Sequence, residues 1–235
     1  MSGGGQLALA LLHRPAVGRE DFLVGPANEA AVAWIDRWPR WPQPCLAIHG
    51  PARAGKSHLV SVWQEASGAR ILDLATLSER GPAELLDEAR DFAIEDVDHA
   101  IATATEPARL EENLLHAYNL IREAGGHLLL TGRAPPARWR LQLADLRSRM
   151  LAVPVVALGA PDDPLMEGLL VKLLADRQLR VAPGVVHYLA ARMERSFEAA
   201  CALVDRLDRQ ALAERREITI PLARRVLEEI GPSAP

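Results

Sequence analysis

Apolar residues follow two different rhythms along the chain. Between residues 45 and 158, short apolar runs alternate with stretches in which apolar positions recur every three or four residues. The short runs predict strands over 45–49, 70–74, 92–94, 127–131 and 153–158. The longer periodic stretches predict helices over 56–66, 82–89 and 109–124, the last closed by Gly125 and Gly126. Strands separated by helices need crossover connections, and crossovers build a parallel sheet, here of five strands.

After Gly159 the strand signals give way to helices. Leu165, Leu169, Leu170, Leu173 and Leu174 share one face of a helix over 164–178, and a second helix covers 183–193. Phe197, Ala200, Cys201, Val204, Leu207, Ala211 and Leu212 form the apolar face of a third. Thr219 is placed to cap a fourth, with Pro221 in its first turn. Near the other end, Asn28 can cap a helix carrying Ala31, Trp34, Ile35 and Trp38, which Pro39, Pro42 and Pro44 stop. Trp34, Trp38 and Trp41 read as packing residues. The expected organisation is a flexible segment over 1–20, an α/β domain over 21–160 and a helical domain over 161–235.

Charge and composition narrow the partners. A formal net charge of −4 over 235 residues creates no global field drawing the chain to nucleic acid, so any DNA contact is expected to be indirect. Cys45 and Cys201 lie far apart in apolar surroundings and read as free thiols, as suits a reducing cytoplasm. The apolar run from Leu7 to Leu12 has no basic segment before it, and no run reaches membrane-spanning length. A soluble cytoplasmic protein without membrane contact is expected.

The sharpest chemical signal is Gly50-Pro51-Ala52-Arg53-Ala54-Gly55-Lys56-Ser57, between a predicted strand and a predicted helix. Two glycines let consecutive backbone N–H groups converge on phosphate oxygens, and the helix N-terminus adds to the attraction. Lys56 can reach the outer phosphates, and the Ser57 hydroxyl can coordinate Mg²⁺. ATP or ADP with Mg²⁺ is the expected ligand. The third strand leads into Glu95 and Asp96, where one carboxylate can hold the metal and its neighbour can orient water.

Further segments carry a resemblance. Phe22-Leu23-Val24-Gly25-Pro26-Ala27-Asn28-Glu29 is similar to the segment before the phosphate loop in the DnaA family of AAA+ P-loop ATPases. Leu129-Leu130-Thr131-Gly132-Arg133-Ala134-Pro135-Pro136 resembles the family's sensor 1 strand and turn. Leu146-Arg147-Ser148-Arg149 resembles the stretch carrying its arginine finger, and Glu194-Arg195-Ser196-Phe197-Glu198 resembles sensor 2 in the lid. The resemblance implies an AAA+ domain with a helical lid. It extends the nucleotide-binding set to Val24, His58, Thr131 and Arg195, beside the loop.

Two features point to a regulatory branch of that family. The sequence ends after the lid helices, without an initiator's DNA-binding domain, and Gln6, Leu7, Leu9 and Leu11 resemble a peptide that docks on the replication sliding clamp, the DNA polymerase III beta subunit. The resemblance then implies a clamp-bound negative regulator of replication initiation. It presents Arg149 to ATP held by DnaA and triggers hydrolysis there, while its own ATPase activity is weak. A homodimer that hides the finger is compatible with the same reading. Glu95 stands where many relatives have aspartate, and Gly132 where initiators often carry an acid. The alternatives are a DNA-engaging ATPase that loads or remodels a replication or transposition assembly, and a small-molecule kinase.

Overall fold

A computed structural model describes residues 23–80, 82, 89–214 and 216–231. Gln6, Leu7, Leu9 and Leu11, and nearly all of the helix expected over 82–89, lie outside the described residues. The chain runs through α1 (Glu29–Asp36), β1 (Cys45–His49), α2 (Lys56–Ser67), β2 (Arg70–Ile71), α3 (Leu74–Arg80), β3 (Phe92–Ile94), α4 (Val97–Thr103) and α5 (Pro107–Glu123). It continues through β4 (Leu128–Gly132), α6 (Ala144–Ala152), β5 (Val155–Ala157), α7 (Asp163–Asp176), α8 (Pro183–Ala190), α9 (Phe197–Glu214) and α10 (Ile220–Ile230).

The five strands form one parallel sheet in the order β2-β3-β4-β1-β5. β1 lies between β4 and the edge strand β5, paired with β4 from Cys45 opposite Leu128 to His49 opposite Gly132. Side chains alternate across a strand, so β1 serves two cores at once. Leu46 and Ile48 pack with Leu129 and Ala93 against α1 and α2. Cys45 and Ala47 pack with Leu128, Leu130, Phe92 and Ile94 against α3, α4, α5 and α6. Burial on both faces is why β1 reads as an unbroken apolar run. Burial also pushes the Cys45 thiol well above its ordinary pKa, so it stays protonated and packs as a small apolar group.

The tryptophans fill the end of the first layer. Trp41 stacks on Trp63 with ring centroids 5.4 Å apart, and its indole N–H donates to the Trp34 carbonyl at 2.7 Å. Trp38 meets Trp63 edge-on at 6.5 Å. Beyond β5, a separate apolar cluster joins α7, α8, α9 and α10 through Leu170, Leu189, Leu203, Leu207 and Val226. This is the helical lid.

Three local features depart from the pattern in the sequence. β2 stops at Ile71 because Asp73 starts a helix: its carboxylate accepts from the Thr76 amide and hydroxyl, both at 2.9 Å. Those bonds hold the Asp73 carboxyl below its usual range. α4 begins directly after the acidic strand end, with Asp96 in the left-handed region at φ 48°. Asn28 precedes α1 but turns backwards, accepting from the Gly25 amide at 2.8 Å and donating to the Leu23 carbonyl at 2.9 Å. It fixes the entry strap instead of capping the helix.

Candidate functional site

The phosphate loop leaves β1 at its C-terminal end and enters α2, the place where a parallel sheet opens a ligand crevice. Gly50 is dictated by crowding: a Cβ there would stand 2.2 Å from the Leu158 carbonyl oxygen. Gly55 is dictated by conformation, with φ 100° in the left-handed region. Lys56 curls over the loop, its Nζ donating to the carbonyls of Gly50 at 3.0 Å and Pro51 at 2.8 Å. An ammonium has three donors, so one is left to point outward. Burial lowers the Lys56 pKa, and the nearby Asp96 carboxylate opposes that shift.

Ser57 and Glu95 meet directly, the hydroxyl donating to the carboxylate. Two hard oxygen donors at the mouth of a phosphate loop fit Mg²⁺, which takes its remaining ligands from phosphate and water. Among the described residues no group of three or more His, Cys, Asp and Glu side chains could hold a metal by itself. Asp96 is tied to β4, its amide donating to the Thr131 hydroxyl at 3.1 Å. Thr131 is fully buried and so bridges two strand ends from below the crevice.

Asp98 has a part that its sequence context did not reveal. Its carboxylate accepts from the amides of Arg133, at 3.1 and 2.9 Å, and of Ala134, at 2.8 Å. The turn after β4 is therefore fixed by a residue on α4. That turn carries Arg133 into the cavity above the loop, a space of about 330 Å³ lined in part by Lys56, Ser57, Asp96, Phe197 and Glu198.

The lid closes over the same space. Arg53, at φ 61° in the loop, reaches Glu194 at 2.5 Å and Glu198 at 3.8 Å. The His58 ring lies edge-on to Phe197, with centroids 4.4 Å apart. A second, mainly apolar crevice beside the loop is lined by Leu23, Asn28, Ala54, His58, Leu165 and Met166, among others. It is narrow, about 40 Å³, with walls from the entry strap, the phosphate loop and α7.

The remaining expected residues stand elsewhere. Val24 is 48% exposed and lines neither space. Arg195 pairs with Asp163 at 2.6 Å, at the start of α7, and does not line the cavity. Arg149 lies on α6, also outside the cavity lining, with its side chain 26% exposed. Its guanidinium sits 5.8 Å from the Tyr118 ring centroid and 3.4 Å from Asp145. Its Nε is buried without a hydrogen-bond partner among the described residues.

Residues 168–227 match the Hda lid domain family. The structure is similar to domain III of the Thermotoga maritima replication initiation protein DnaA, with a TM-score of 0.74 at 20% identity. That match covers 93% of this chain and 99% of the other. It is also similar to AMPPCP-bound DnaA from Aquifex aeolicus, with a TM-score of 0.64 at 17% identity over 86% and 69% of the two chains. The Thermotoga maritima RuvB Holliday junction branch migration motor gives a TM-score of 0.66 at 14% identity, over 88% and 70%. The chain therefore joins a segment that matches the Hda lid domain family to a fold similar to that of DnaA domain III.

Proposed function

We propose that this protein is a nucleotide-bound regulator that supplies Arg149 to ATP held by DnaA, and so converts the initiator to its ADP form. The observation that carries the reading is the place of Arg149. It stands on α6, outside the lining of its own cavity and partly open to solvent.

The energetics of that place favour release to a neighbour. A partly buried cation over an aromatic ring contributes about 0.5–2 kcal/mol, and a partly exposed ion pair about 0–1 kcal/mol. The unpartnered Nε donor gains an acceptor when the side chain moves. An arginine that stabilises charge on a transferring phosphoryl group contributes roughly a thousandfold or more in rate. That gain exceeds what Tyr118 and Asp145 hold back.

In the chain's own site, Gly50 to Ser57 cradle the phosphates, and Lys56 neutralises the outer ones. Ser57 and Glu95 hold Mg²⁺, which when bound screens the charge between adjacent phosphates. The apolar crevice between Leu23, Asn28 and Leu165 receives the base. Nucleotide in this site sets the lid angle and is not consumed at an appreciable rate. Gln6, Leu7, Leu9 and Leu11 dock on the sliding clamp, which brings the regulator to DnaA.

The test is turnover of DnaA-bound ATP with clamp loaded on DNA, comparing the wild type with Arg149→Ala. Loss of stimulation is expected, and unchanged turnover removes the mechanism. Deleting residues 6–11 should abolish clamp association and leave nucleotide binding intact.

A further inference from the structure

We propose that Tyr118 is a positioning residue for Arg149, and that Asp145 is a restraint which the guanidinium must leave before it can reach a partner's phosphate. The proposal rests on the reading of Arg149 as a finger and adds to it how that finger is aimed and how it is freed.

The two contacts engage different parts of the guanidinium. Tyr118 is buried on α5, and its ring centroid lies 5.8 Å from Cζ of Arg149. Asp145 is exposed one turn before Arg149 on α6, and its carboxylate accepts from Nη2 at 3.4 Å. An aromatic ring engages the face of a planar cation, whereas a carboxylate takes the N–H donors along its edge. Phosphate takes the same edge, best through two parallel N–H bonds. An arriving phosphate therefore competes with Asp145 and not with Tyr118.

That edge is lightly held at rest. Its Nε is buried without a hydrogen-bond partner among the described residues. The 3.4 Å contact to Asp145 is longer than the roughly 2.7–2.9 Å of a strong charge-assisted bond. A second guanidinium, that of Arg122 one turn along α5, lies 5.9 Å from the same ring centroid. Two cations at one ring favour an anion beside it. Asp145 is that anion at rest, and the partner's phosphate takes its place. In the step Arg149 serves, water attacks the γ-phosphorus, the bond to the bridging oxygen breaks, and ADP and inorganic phosphate leave. Tyr118 and Asp145 touch none of the reacting atoms and act only through Arg149.

Hydrolysis of DnaA-bound ATP by the full chain, with clamp loaded on DNA, tests the proposal in single variants and in the Arg149→Ala background. Tyr118→Leu is expected to lower the maximal rate about threefold to tenfold at an unchanged half-saturating concentration, and Tyr118→Phe, which keeps the ring, to restore most of it. Asp145→Asn, an exposed change that leaves the core untouched, should raise the maximal rate about twofold to fivefold. Neither Tyr118→Leu nor Asp145→Asn should alter what remains in Arg149→Ala. A Tyr118→Phe variant as slow as Tyr118→Leu, or an Asp145→Asn variant no faster than the wild type, overturns the proposal while the finger stands. An Arg149→Ala variant that stimulates as well as the wild type overturns both.

Discussion

The guanidinium of Arg53 in the phosphate loop lies 2.5 Å from the carboxylate of Glu194 in the lid, joining residues 141 positions apart. The pair holds the lid onto the loop where phosphate binds. Both partners are partly exposed, so the contact is modest and sensitive to salt. Glu194→Gln should loosen the lid, faster amide hydrogen exchange across the start of α9 being the readout. Identical exchange in the variant would show that apolar packing alone keeps the lid seated.

Glu111 on α5 is 1% exposed and accepts from the Gln142 amide at 3.0 Å and the Leu143 amide at 2.7 Å. Those amides lead into α6, which carries Arg149, and Tyr118, seven residues along the same helix, lies under the guanidinium. Glu111→Ala leaves buried donors unmatched and should cost about 2–4 kcal/mol in chemical denaturation. It should also blunt stimulation of DnaA-bound ATP hydrolysis under conditions where the variant remains folded. A stable variant with full stimulation would rule out this positioning role.

Gly50→Ala places a methyl 2.2 Å from the Leu158 carbonyl oxygen. Backbone cannot yield as a flexible side chain does, so the loop and the segment after β5 must separate. The expected loss is about 2 kcal/mol or more, with nucleotide affinity lost as well. Thermal unfolding together with nucleotide titration checks both effects. Gly184, whose added Cβ would meet nothing within 4 Å, is a control for glycine replacement as such.

Lys56 titrates below the ordinary lysine range, chiefly because burial disfavours its charge. In the window between the folded and unfolded values, the unfolded chain binds more protons. The charge therefore costs stability below that window, and the cost fades as pH rises through it. Lys56→Met should be more stable than the wild type at about pH 7, with the gap closing toward about pH 10. Nucleotide affinity of the wild type should fall over the same rise. Denaturation curves at the two pH values decide it: a gap that is absent or grows rejects the argument.

What could be read in the sequence was mostly contiguous. The loop from Gly50 to Ser57 is one run of eight residues between a strand and a helix, so its chemistry and place were visible together. β1 and β4 were visible because burial on both faces gives them apolar runs, from Cys45 to Ile48 and from Leu128 to Leu130. The lid was visible because each helix carries its own apolar stripe.

The hidden features depend on side chains that meet only after folding. Nothing near Arg53 announces Glu194, and nothing near Asp98 announces the turn at Arg133. Glu111 sits within a helical stretch where an acid ordinarily faces water, yet it is buried by a loop more than thirty residues away. Arg195 lies in a lid rich in arginine, and only its closeness to Asp163 shows which way it turns. β2 was overextended for a local reason, since Asp73 favours helix initiation over another pair of strand residues.

Arg149 and the glycine-rich loop share a chain but no common lining. Inheritance can therefore touch them separately. A lineage could tune the grip of one without disturbing the reach of the other, and two differently damaged copies in one cell need not be damaged in the same sense.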